Sequence, residues 1–257
     1  MKVEAIMTCV GRSSFLKETL PINKDKFNNI IVITTPTDYE TQKICGENDV
    51  CCVETDLFYK NGASFDKGRS INEGFKNLKY QEWVVLTDCD IVFPTPFYGI
   101  FKNTKLDKNN LYCTRRLIIE SRKEFLDFTR KVAYSPELLD INSMVRLDNK
   151  ELGVGFFQMF HLQSKIIEEI KKIKIKINQD EFNELIAPLI KSKKDYSPVL
   201  KETGMIHPCF PTAGGSDSQF RHFFVERSAM SVLPEPVPVI HLGQIGKGHS
   251  GVSQNFQ

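Results

Sequence analysis

The sequence predicts an α/β fold in which a mostly parallel central sheet is flanked by helices. In the first hundred residues, short apolar runs typical of buried strands alternate with amphipathic stretches of helical spacing. Such alternation produces βαβ units with right-handed crossovers. One apolar run ends in two carboxylates, Asp88 and Asp90. It therefore places acidic groups at the C-terminal end of a strand, where open α/β sheets bind their ligands.

The elements of the first half follow in order. The continuous, β-branched run Asn29–Thr34 indicates a buried strand, and Ser13 or Ser14 is suited to cap a helix. Predicted strands are Val3–Cys9, Asn29–Thr34, Val50–Val53 and Trp83–Leu86, and predicted helices are Ser13–Leu20 and Phe65–Leu78.

After Pro94 the pattern is less regular, and the segment Tyr196–Gly215 predicts a long irregular binding loop or lid. Ile170–Lys176 alternates Ile and Lys and suits either a helix end or an exposed strand. No linker interrupts the sequence, so residues 1–257 are interpreted as one domain. Predicted strands are Leu111–Ile119 and Val154–Leu162, and predicted helices are Ser164–Lys172 and Glu181–Lys191.

Composition limits the function classes. Apolar residues make up 41% and charged residues 26% of the 257 residues, as in ordinary globular proteins. A formal net charge of +2 excludes a strongly basic nucleic-acid binder, although not a local basic patch. The seven cysteines are odd in number and lie mostly in apolar runs, which favours reduced thiols and a cytoplasmic location. No window has the roughly 20 apolar residues of a membrane span.

The two acids are the strongest functional signal. At the period of a strand, Asp88 and Asp90 face one side and Cys89 the other. Two close like charges repel, and a divalent cation relieves the repulsion. A solvated turn is the plain alternative. A nucleophilic Asp88, as in haloacid-dehalogenase-type phosphatases, is less favoured, because the motif here follows about three strands and precedes Ile91 and Val92.

These acids and the preceding segment Phe65–Gly74 resemble, in their order, the GT-A-type glycosyltransferases. The resemblance extends from about Val3 to Gly243 and is weakest over Ile170–Cys209. It implies a GT-A, Rossmann-like fold whose residues 1–100 bind a nucleoside-diphosphate sugar, most simply a UDP-sugar. Residues 101–257 would then form the acceptor-binding half and a C-terminal tail with a metal ligand. The implied cofactor is Mn²⁺ or Mg²⁺.

The donor is expected at two places. One is the first turn of the helix before the acid strand, whose free backbone N–H groups favour anions. The other is the end of the first two strands, where short polar side chains suit a base or ribose. In both places a plain structural role is the alternative, and Asp38 in particular suits a helix cap. The predicted donor-binding residues are Lys67, Arg69 and Asn72 on the helix and Thr8, Arg12, Thr35 and Asp38 after the strands.

The metal is expected between Asp90, Asp88 and His241, with Asp90 the better-supported ligand and Asp88 also suited to contact ribose or sugar. His241 follows a short apolar strand, and imidazole is a good transition-metal donor. Lys247 lies six residues further on, and this spacing is similar to the tail of glycogenin-type transferases, where the lysine neutralises the leaving diphosphate. The Pro-Trp that follows in that motif is absent.

Two residues are candidates for the catalytic base. Asp217 lies in Gly214–Arg221, which resembles the family's glycine-then-acid helix start, although it also suits a helix cap. Asp180 lies in Asn178–Asn183, which is similar to the Asp-Gln-Asp element of retaining enzymes with Asn178 in place of the first acid. Inverting and retaining chemistry both stay open.

The resemblance implies that the acceptor is a hydroxyl group on a glycan, a small molecule or a hydroxylated nucleic-acid base. Gly153–Phe160 and His207–Gly215 are expected to shape its pocket. Nucleotidyl transfer is an alternative, but it needs a glycine-rich basic loop that Val10–Ser13 scarcely supplies. A non-catalytic sugar-binding module is a third reading, and the presence of both acids argues against it. A basic surface for nucleic acid would draw on Arg115–Arg116, Arg122–Lys123, Arg130–Lys131 and Lys191–Lys194.

Overall fold

The computed structural model describes residues 1–93, 105–114, 116–119, 121–134, 156–178, 180, 182–187, 199–233 and 239–243. In the first half the strands are β1 (Val3–Thr8), β2 (Asn29–Thr34), β3 (Cys51–Glu54), β4 (Trp83–Asp88) and β5 (Ile91–Val92), and the helices are α1 (Ser13–Asn23), α2 (Tyr39–Glu47) and α3 (Lys67–Phe75). Short 3₁₀ segments lie at Lys24–Lys26 and Leu57–Gly62.

The second half adds more strands than helices. Its strands are β6 (Leu111–Cys113), β7 (Arg116–Ile119), β8 (Phe157–His161), β9 (Ile175–Lys176), β10 (Val199–Lys201), β11 (Met230–Val232) and β12 (Val239–Leu242). Its helices are α4 (Arg122–Tyr134), α5 (Lys165–Lys172) and α6 (Ala213–Val225), with a π-helical turn at Phe182–Ile186.

The central sheet has seven strands in the order β11-β6-β8-β4-β1-β2-β3. Every strand is parallel to the others except β8, which is antiparallel to both of its neighbours. The predicted α/β class with a mostly parallel central sheet is therefore confirmed. Apolar side chains cover both faces: Leu16 and Leu20 of α1 belong to one core, and Ile71 of α3 and Phe220 of α6 belong to the other.

The order in which strands are added reverses at β1. From β1 the chain proceeds to β2 and β3 on one side and then returns to place β4 on the other side. The C-terminal ends of β1 and β4 consequently flank a topological switch point, the position at which open α/β sheets bind ligands. In the register of this pair, Thr8 lies opposite Asp88.

A second sheet of three strands, β5-β12-β7, brings distant parts of the chain beside the acids. In its register His241 lies opposite Ile91, the residue after Asp90. The backbone N–H of Leu242 donates to the carbonyl oxygen of Asp90 at 2.8 Å. The strand of His241 is therefore anchored directly to the acid turn.

Two predicted elements were wrong in their bounds. Leu111–Ile119 is not one strand: it divides into β6 in the central sheet and β7 in the second sheet. Tyr196–Gly215 is not wholly irregular, because Val199–Lys201 pairs antiparallel with β9 and α6 begins at Ala213. Two glycines in the first turn of α6 hide the helix from a propensity argument. One of them, Gly215, packs so closely on the ring of Phe210 that a larger residue would overlap it.

The remaining differences are smaller. Ile170–Lys176 contains both the end of α5 and the short strand β9. Within Glu181–Lys191 the described part is the π-helical turn, and Val154–Gly155 lies outside the described residues. All seven cysteines are free, and Cys9, Cys45, Cys89, Cys113 and Cys209 are buried. Among the described residues, no helix has the length and apolar character needed to cross a membrane.

Candidate active site

The turn that carries the acids is fixed by helix α1. Strand β4 ends at Asp88, and after two turn residues the chain continues as β5. The side chain of Cys89 is buried in the core, and its carbonyl oxygen accepts a hydrogen bond from Thr19 Oγ1 at 2.7 Å. Asn23 of the same helix donates to the carbonyl oxygen of Ile91 at 2.7 Å. The side chain of Cys89 is thus held in the core, and Asp88 and Asp90 lie on the opposite side of the turn.

Asp88 begins a chain of alternating charges that extends inward. Its Oδ1 lies 2.6 Å from Lys67 Nζ and accepts a 3.4 Å hydrogen bond from Thr8 Oγ1. Lys67 Nζ also lies 3.0 Å from Asp217 Oδ2, and His207 Nε2 lies 3.5 Å from Asp217 Oδ1. We call Asp88, Lys67, Asp217 and His207 the buried charge chain, because the last three are buried and Asp88 is half-buried. It joins β4 and α3 of the first half of the chain to helix α6.

The electrostatics of this chain favour ionised groups at its centre. Burial by itself would lower the pKa of Lys67, but the carboxylates of Asp217 and Asp88 raise it above its ordinary value. Burial opposes ionisation of Asp217, yet Lys67 and His207 bring its pKa down to about 2. The pKa of Asp88 is raised by burial, against the effect of Lys67 and with that of Asp90. Lys67 and Asp217 therefore form a permanent ion pair at neutral pH.

This ion pair predicts an acid-sensitive stability. The folded-state pKa of Asp217, about 2, lies below the ordinary value of 3.8 for an aspartate side chain. Its contribution is therefore complete above about pH 4 and is lost as the pH falls toward 2. We expect about 2 kcal/mol of unfolding free energy to depend on this titration. Urea unfolding at pH 4.5 and pH 2.5 measures it, with Asp217→Asn as the comparison. An equal pH dependence in both proteins would contradict the prediction.

Asp90 lies at the other end of the turn from Asp88 and has different neighbouring side chains. Its Oδ2 is 3.1 Å from a guanidinium nitrogen of Arg12 and 3.7 Å from His241 Nε2. Its Oδ1 is buried and has no hydrogen-bond partner among the residues that the structure describes, and the same holds for Nδ1 of His241. A buried, unsatisfied carboxylate oxygen is costly unless a ligand completes it. Carboxylate oxygen and imidazole nitrogen are also donors that suit Mn²⁺.

The predicted three-residue metal site is only partly assembled. The structure brings Asp90 and His241 together, whereas Oδ1 of Asp88 is engaged by Lys67. Within the described ranges, no three His, Cys, Asp or Glu side chains gather closely enough to hold an ion. Arg12 supplies the positive charge next to Asp90 instead. The residues that fit a metal are thus the pair Asp90 and His241.

The loops after β1 and β2 are joined through Asp38. It caps α2 by accepting from the N–H of Thr41 at 3.2 Å, and its other oxygen accepts from Gly11 N–H at 2.8 Å and Thr34 Oγ1 at 3.2 Å. Gly11 has φ +62°, which favours glycine at this position. Thr35 is buried beside Thr37. Asp38 therefore has the structural role that the sequence offered as its alternative: it caps α2 and joins the loop after β1 to the loop after β2.

The side chains at the start of α3 form hydrogen bonds with other parts of the protein. Asp66 is buried and accepts from Arg69 N–H at 2.9 Å, Arg69 Nε at 3.1 Å and Phe210 N–H at 3.3 Å. The amide nitrogen of Asn72 donates to the carbonyl oxygens of Gly68 and His207, each at 2.8 Å. Its oxygen accepts from the N–H groups of residues 206 and 207 at 3.0 and 3.1 Å.

These bonds use all four hydrogen-bonding positions of the Asn72 amide. The predicted donor-binding role of Asn72 is therefore replaced by a structural one, in which it holds residues 206–211, which we call the latch loop. Arg69 is likewise oriented by Asp66. Residue type alone could not reveal this, because the latch loop is more than 130 residues away in the sequence, with Asn72 and His207 separated by 135 positions.

Gly68 allows α3 and the latch loop to approach each other. A Cβ at this position would overlap the carbonyl oxygen of Pro208, which is backbone and cannot rotate away. Gly68→Ala is expected to cost about 3 kcal/mol of unfolding free energy through overpacking. Gly46→Ala is the matched control, because position 46 also lies in a helix but has nothing within 4 Å of a new Cβ. Chemical denaturation measures both, and an equal effect of the two changes would contradict this account.

The other predicted residues do not join this arrangement. Asp180 is exposed, and no hydrogen bond or ion pair within the described part of the chain links it to the buried charge chain. Lys247 lies outside the described residues. Sequence reasoning did not single out His207 or Asp66. It also missed Gln158, whose side-chain amide donates to the Asp217 carbonyl oxygen at 3.0 Å. A single histidine in a loop carries no spacing signal.

Comparisons with known proteins add only distant likenesses. No family model matches the sequence, and no curated protein sequence is significantly similar to it. Among solved structures, 4-diphosphocytidyl-2C-methyl-D-erythritol synthase from Anaerococcus prevotii is 16% identical, with 99% of this chain and 94% of that chain covered and a TM-score of 0.45.

Glucosyl-3-phosphoglycerate synthase from Mycobacterium tuberculosis, solved with Mn²⁺, uridine diphosphate and phosphoglyceric acid, is 12% identical, with 72% of this chain covered and a TM-score of 0.39. The match spans 65% of that protein's chain, which is less than two thirds of its length. At these identities and scores the likeness does not establish a family.

Proposed function

We propose that the protein is a metal-dependent glycosyltransferase that moves a sugar from a nucleoside-diphosphate sugar to a hydroxyl acceptor. The observation that carries the proposal is the buried Asp90 carboxylate at the topological switch point: its Oδ2 lies beside Arg12 and His241, and its Oδ1 has no hydrogen-bond partner among the described residues. Such a group requires a cation or a hydrogen-bond donor to satisfy it. A UDP-sugar is the favoured donor on the sequence resemblance.

Asp90 and His241 would hold Mn²⁺ or Mg²⁺, with their donor set favouring Mn²⁺. When bound, the ion would stabilise the negative charge of the departing diphosphate. Arg12 is about one-third exposed and lies at the same carboxylate, so it is suited to bind a phosphate oxygen. Thr8, Thr35 and Asp88 line the ends of β1, β2 and β4 and would contact base, ribose or sugar. Lys247 is proposed as a further diphosphate contact.

The proposed mechanism requires a base that deprotonates the acceptor hydroxyl. An effective general base has a pKa near the working pH. Asp217, with a pKa of about 2 and both oxygens engaged, is a poor proton acceptor. We therefore propose that Asp217 acts through its charge and position. Asp180 stays the candidate base from the sequence.

The structure weakens the case for a nucleic-acid acceptor. Arg116 is buried, with its guanidinium 4.8 Å from the centre of the Phe156 ring, so it does not contribute to a basic surface. Arg122 forms an ion pair with Glu18 at 2.8 Å, and Arg115 and Lys191–Lys194 lie outside the described residues. On the evidence of Arg116 and Arg122, a glycan or small-molecule hydroxyl is the favoured acceptor, and a cytoplasmic location is proposed on the free cysteines.

Ligand-dependent stability tests the proposal directly. The melting temperature of the protein is measured with UDP-, GDP- and CDP-sugars, each with and without Mn²⁺. A ligand at 100 times its dissociation constant adds about 2.7 kcal/mol of stability, which is an easily measured shift. We expect stabilisation by one nucleotide sugar only when Mn²⁺ is present, followed by slow release of free sugar.

Two other outcomes would replace the proposal. Pyrophosphate release from a nucleoside triphosphate, without stabilisation by any nucleotide sugar, would establish nucleotidyl transfer. Hydrolysis of an aryl phosphate that is abolished in Asp88→Asn would establish the phosphatase reading. In a third outcome, none of these assays detects nucleotide binding or hydrolysis, and the protein is then a non-catalytic module.

A further inference from the structure

His207 lies at the inner end of the buried charge chain and is fixed by packing. Its side chain is fully buried, and its ring stacks on that of Phe220, with the ring centres 5.0 Å apart. Phe220 lies three residues after Asp217 on helix α6. The stacking therefore sets the plane of the imidazole relative to the helix that carries Asp217.

The backbone of His207 is fixed from the opposite side by α3. Asn72 accepts from its N–H at 3.1 Å and donates to its carbonyl oxygen at 2.8 Å. Gly68 brings the helix against the carbonyl group of the next residue, Pro208. The position of the imidazole is thus imposed by two helices that the sequence places far apart.

Both ring nitrogens of His207 face oxygens that only accept hydrogen bonds. Nδ1 lies 3.1 Å from the carbonyl oxygen of Pro208, and Nε2 lies 3.5 Å from Oδ1 of Asp217. A neutral imidazole has one N–H and one lone pair, so one nitrogen would oppose an oxygen lone pair. As placed, Nε2 makes no hydrogen bond within the described part of the chain, and Oδ1 of Asp217 at 3.5 Å is the acceptor that a proton on Nε2 would face. A doubly protonated ring would therefore have an acceptor opposite each nitrogen. The charged groups on this side are Asp217 and, behind it, Lys67, whereas Asn72 and Pro208 carry no charge.

We propose that His207 is a positioning residue of the transfer reaction, whose doubly protonated ring holds Oδ1 of Asp217 so that Oδ2 holds Lys67 against Asp88. The proposal rests on the proposed function. With this ring charged, the buried charge chain contains two positive groups, Lys67 and His207, and two negative groups, Asp88 and Asp217. Lys67 then engages Oδ1 of Asp88, whereas the buried Oδ1 of Asp90 has no hydrogen-bond partner in the described part of the chain.

The protonation state is tested on the wild-type protein without any substrate. Long-range ¹H–¹⁵N spectra of ¹⁵N-histidine-labelled protein at pH 7 distinguish an imidazolium from either neutral tautomer. We expect both ring nitrogens of His207 to carry protons, with the signal assigned by its loss in His207→Gln. A neutral tautomer at pH 7 would overturn the proposal.

The positioning role is tested in His207→Gln, which keeps a hydrogen-bonding side chain but loses the charge. Carboxyl ¹³C titration is expected to show the pKa of Asp217 rising by about one unit in the variant, because a nearby cation is removed. An unchanged titration would overturn the proposal. His222→Gln is the control, since His222 is exposed and pairs with Glu226 on the surface of the same helix.

Turnover gives a second readout. In His207→Gln we expect kcat/KM for the donor sugar to fall about tenfold while KM for the acceptor changes less than twofold, because the buried charge chain ends at Asp88, a proposed donor contact. His222→Gln should match the wild type. Unchanged kcat/KM for the donor sugar in His207→Gln would overturn the positioning role. If the wild type turns over no nucleotide sugar, the proposed function fails, whereas the two spectroscopic measurements still decide the state of His207.

Discussion

Replacing Lys67 by methionine is expected to lower the free energy of unfolding by about 3–5 kcal/mol, because one partner of a buried ion pair is removed. Lys67 is buried and lies 2.6 Å from Asp88 and 3.0 Å from Asp217. Methionine fills a similar volume but leaves Asp217 as an uncompensated buried charge. Urea unfolding at pH 7 gives the difference.

A double variant separates the lost charge from the lost packing. Adding Asp217→Asn to Lys67→Met removes the unpaired carboxylate, so the double variant should be more stable than Lys67→Met alone. Lys76→Met serves as the surface control, since Lys76 pairs with Glu73 at 2.7 Å but is mostly exposed. That change should cost less than about 1 kcal/mol. Equal losses in Lys67→Met and Lys76→Met would show that the buried charge chain adds no stability.

Replacing Asp90 by asparagine is expected to weaken Mn²⁺ binding by more than about 100-fold, since loss of a ligand should exceed the effect of losing its supporting groups. The change preserves the shape of the side chain and removes its charge. Its measurement is Mn²⁺ titration followed by electron paramagnetic resonance, with the Mn²⁺-dependent rise in melting temperature as a second readout. Neither measurement requires an acceptor.

Glu4→Gln is the matched control for this experiment. Glu4 is also a fully buried carboxylate on the central sheet, but it lies on β1 near its N-terminal end, where Asn29 and two backbone N–H groups donate to it. Its loss should reduce stability and leave Mn²⁺ binding intact. If Asp90→Asn binds Mn²⁺ as tightly as Glu4→Gln does, the ion is held elsewhere and the proposed metal ligands are wrong.

Much of the structure of residues 1–93 follows from local patterns. Strands such as Asn29–Thr34 are continuous apolar runs of the right length, and the structure keeps these bounds. The predicted helix Phe65–Leu78 is confirmed as α3, with narrower bounds. Prediction was weaker in the second half, where Leu111–Ile119 changes sheets between two strands. Such a change depends on which partner strand is present, and local hydrophobicity does not encode it.

The candidate site shows the same division. The acids were located from sequence because a buried strand that ends in charged residues is a local pattern. The different surroundings of the two acids were not predicted from sequence. Asp88 is paired with Lys67, whereas Asp90 lies beside Arg12 and His241. Asn72 was expected to bind the donor, yet every polar atom of its amide is used by the protein. Only long-range contacts could reveal this, because an amide has the same properties in either role.

The sequence by itself determined the α/β class and the strand end that carries Asp88 and Asp90, since both are expressed in the spacing and polarity of neighbouring residues. The tertiary structure decided how these acids differ. It placed His241 beside Asp90 through a second sheet, and it connected Asp88 to His207 through buried charges. The physical reason is that a carboxylate acquires its role from the charges and hydrogen-bond donors around it, which here come from segments far apart in the chain.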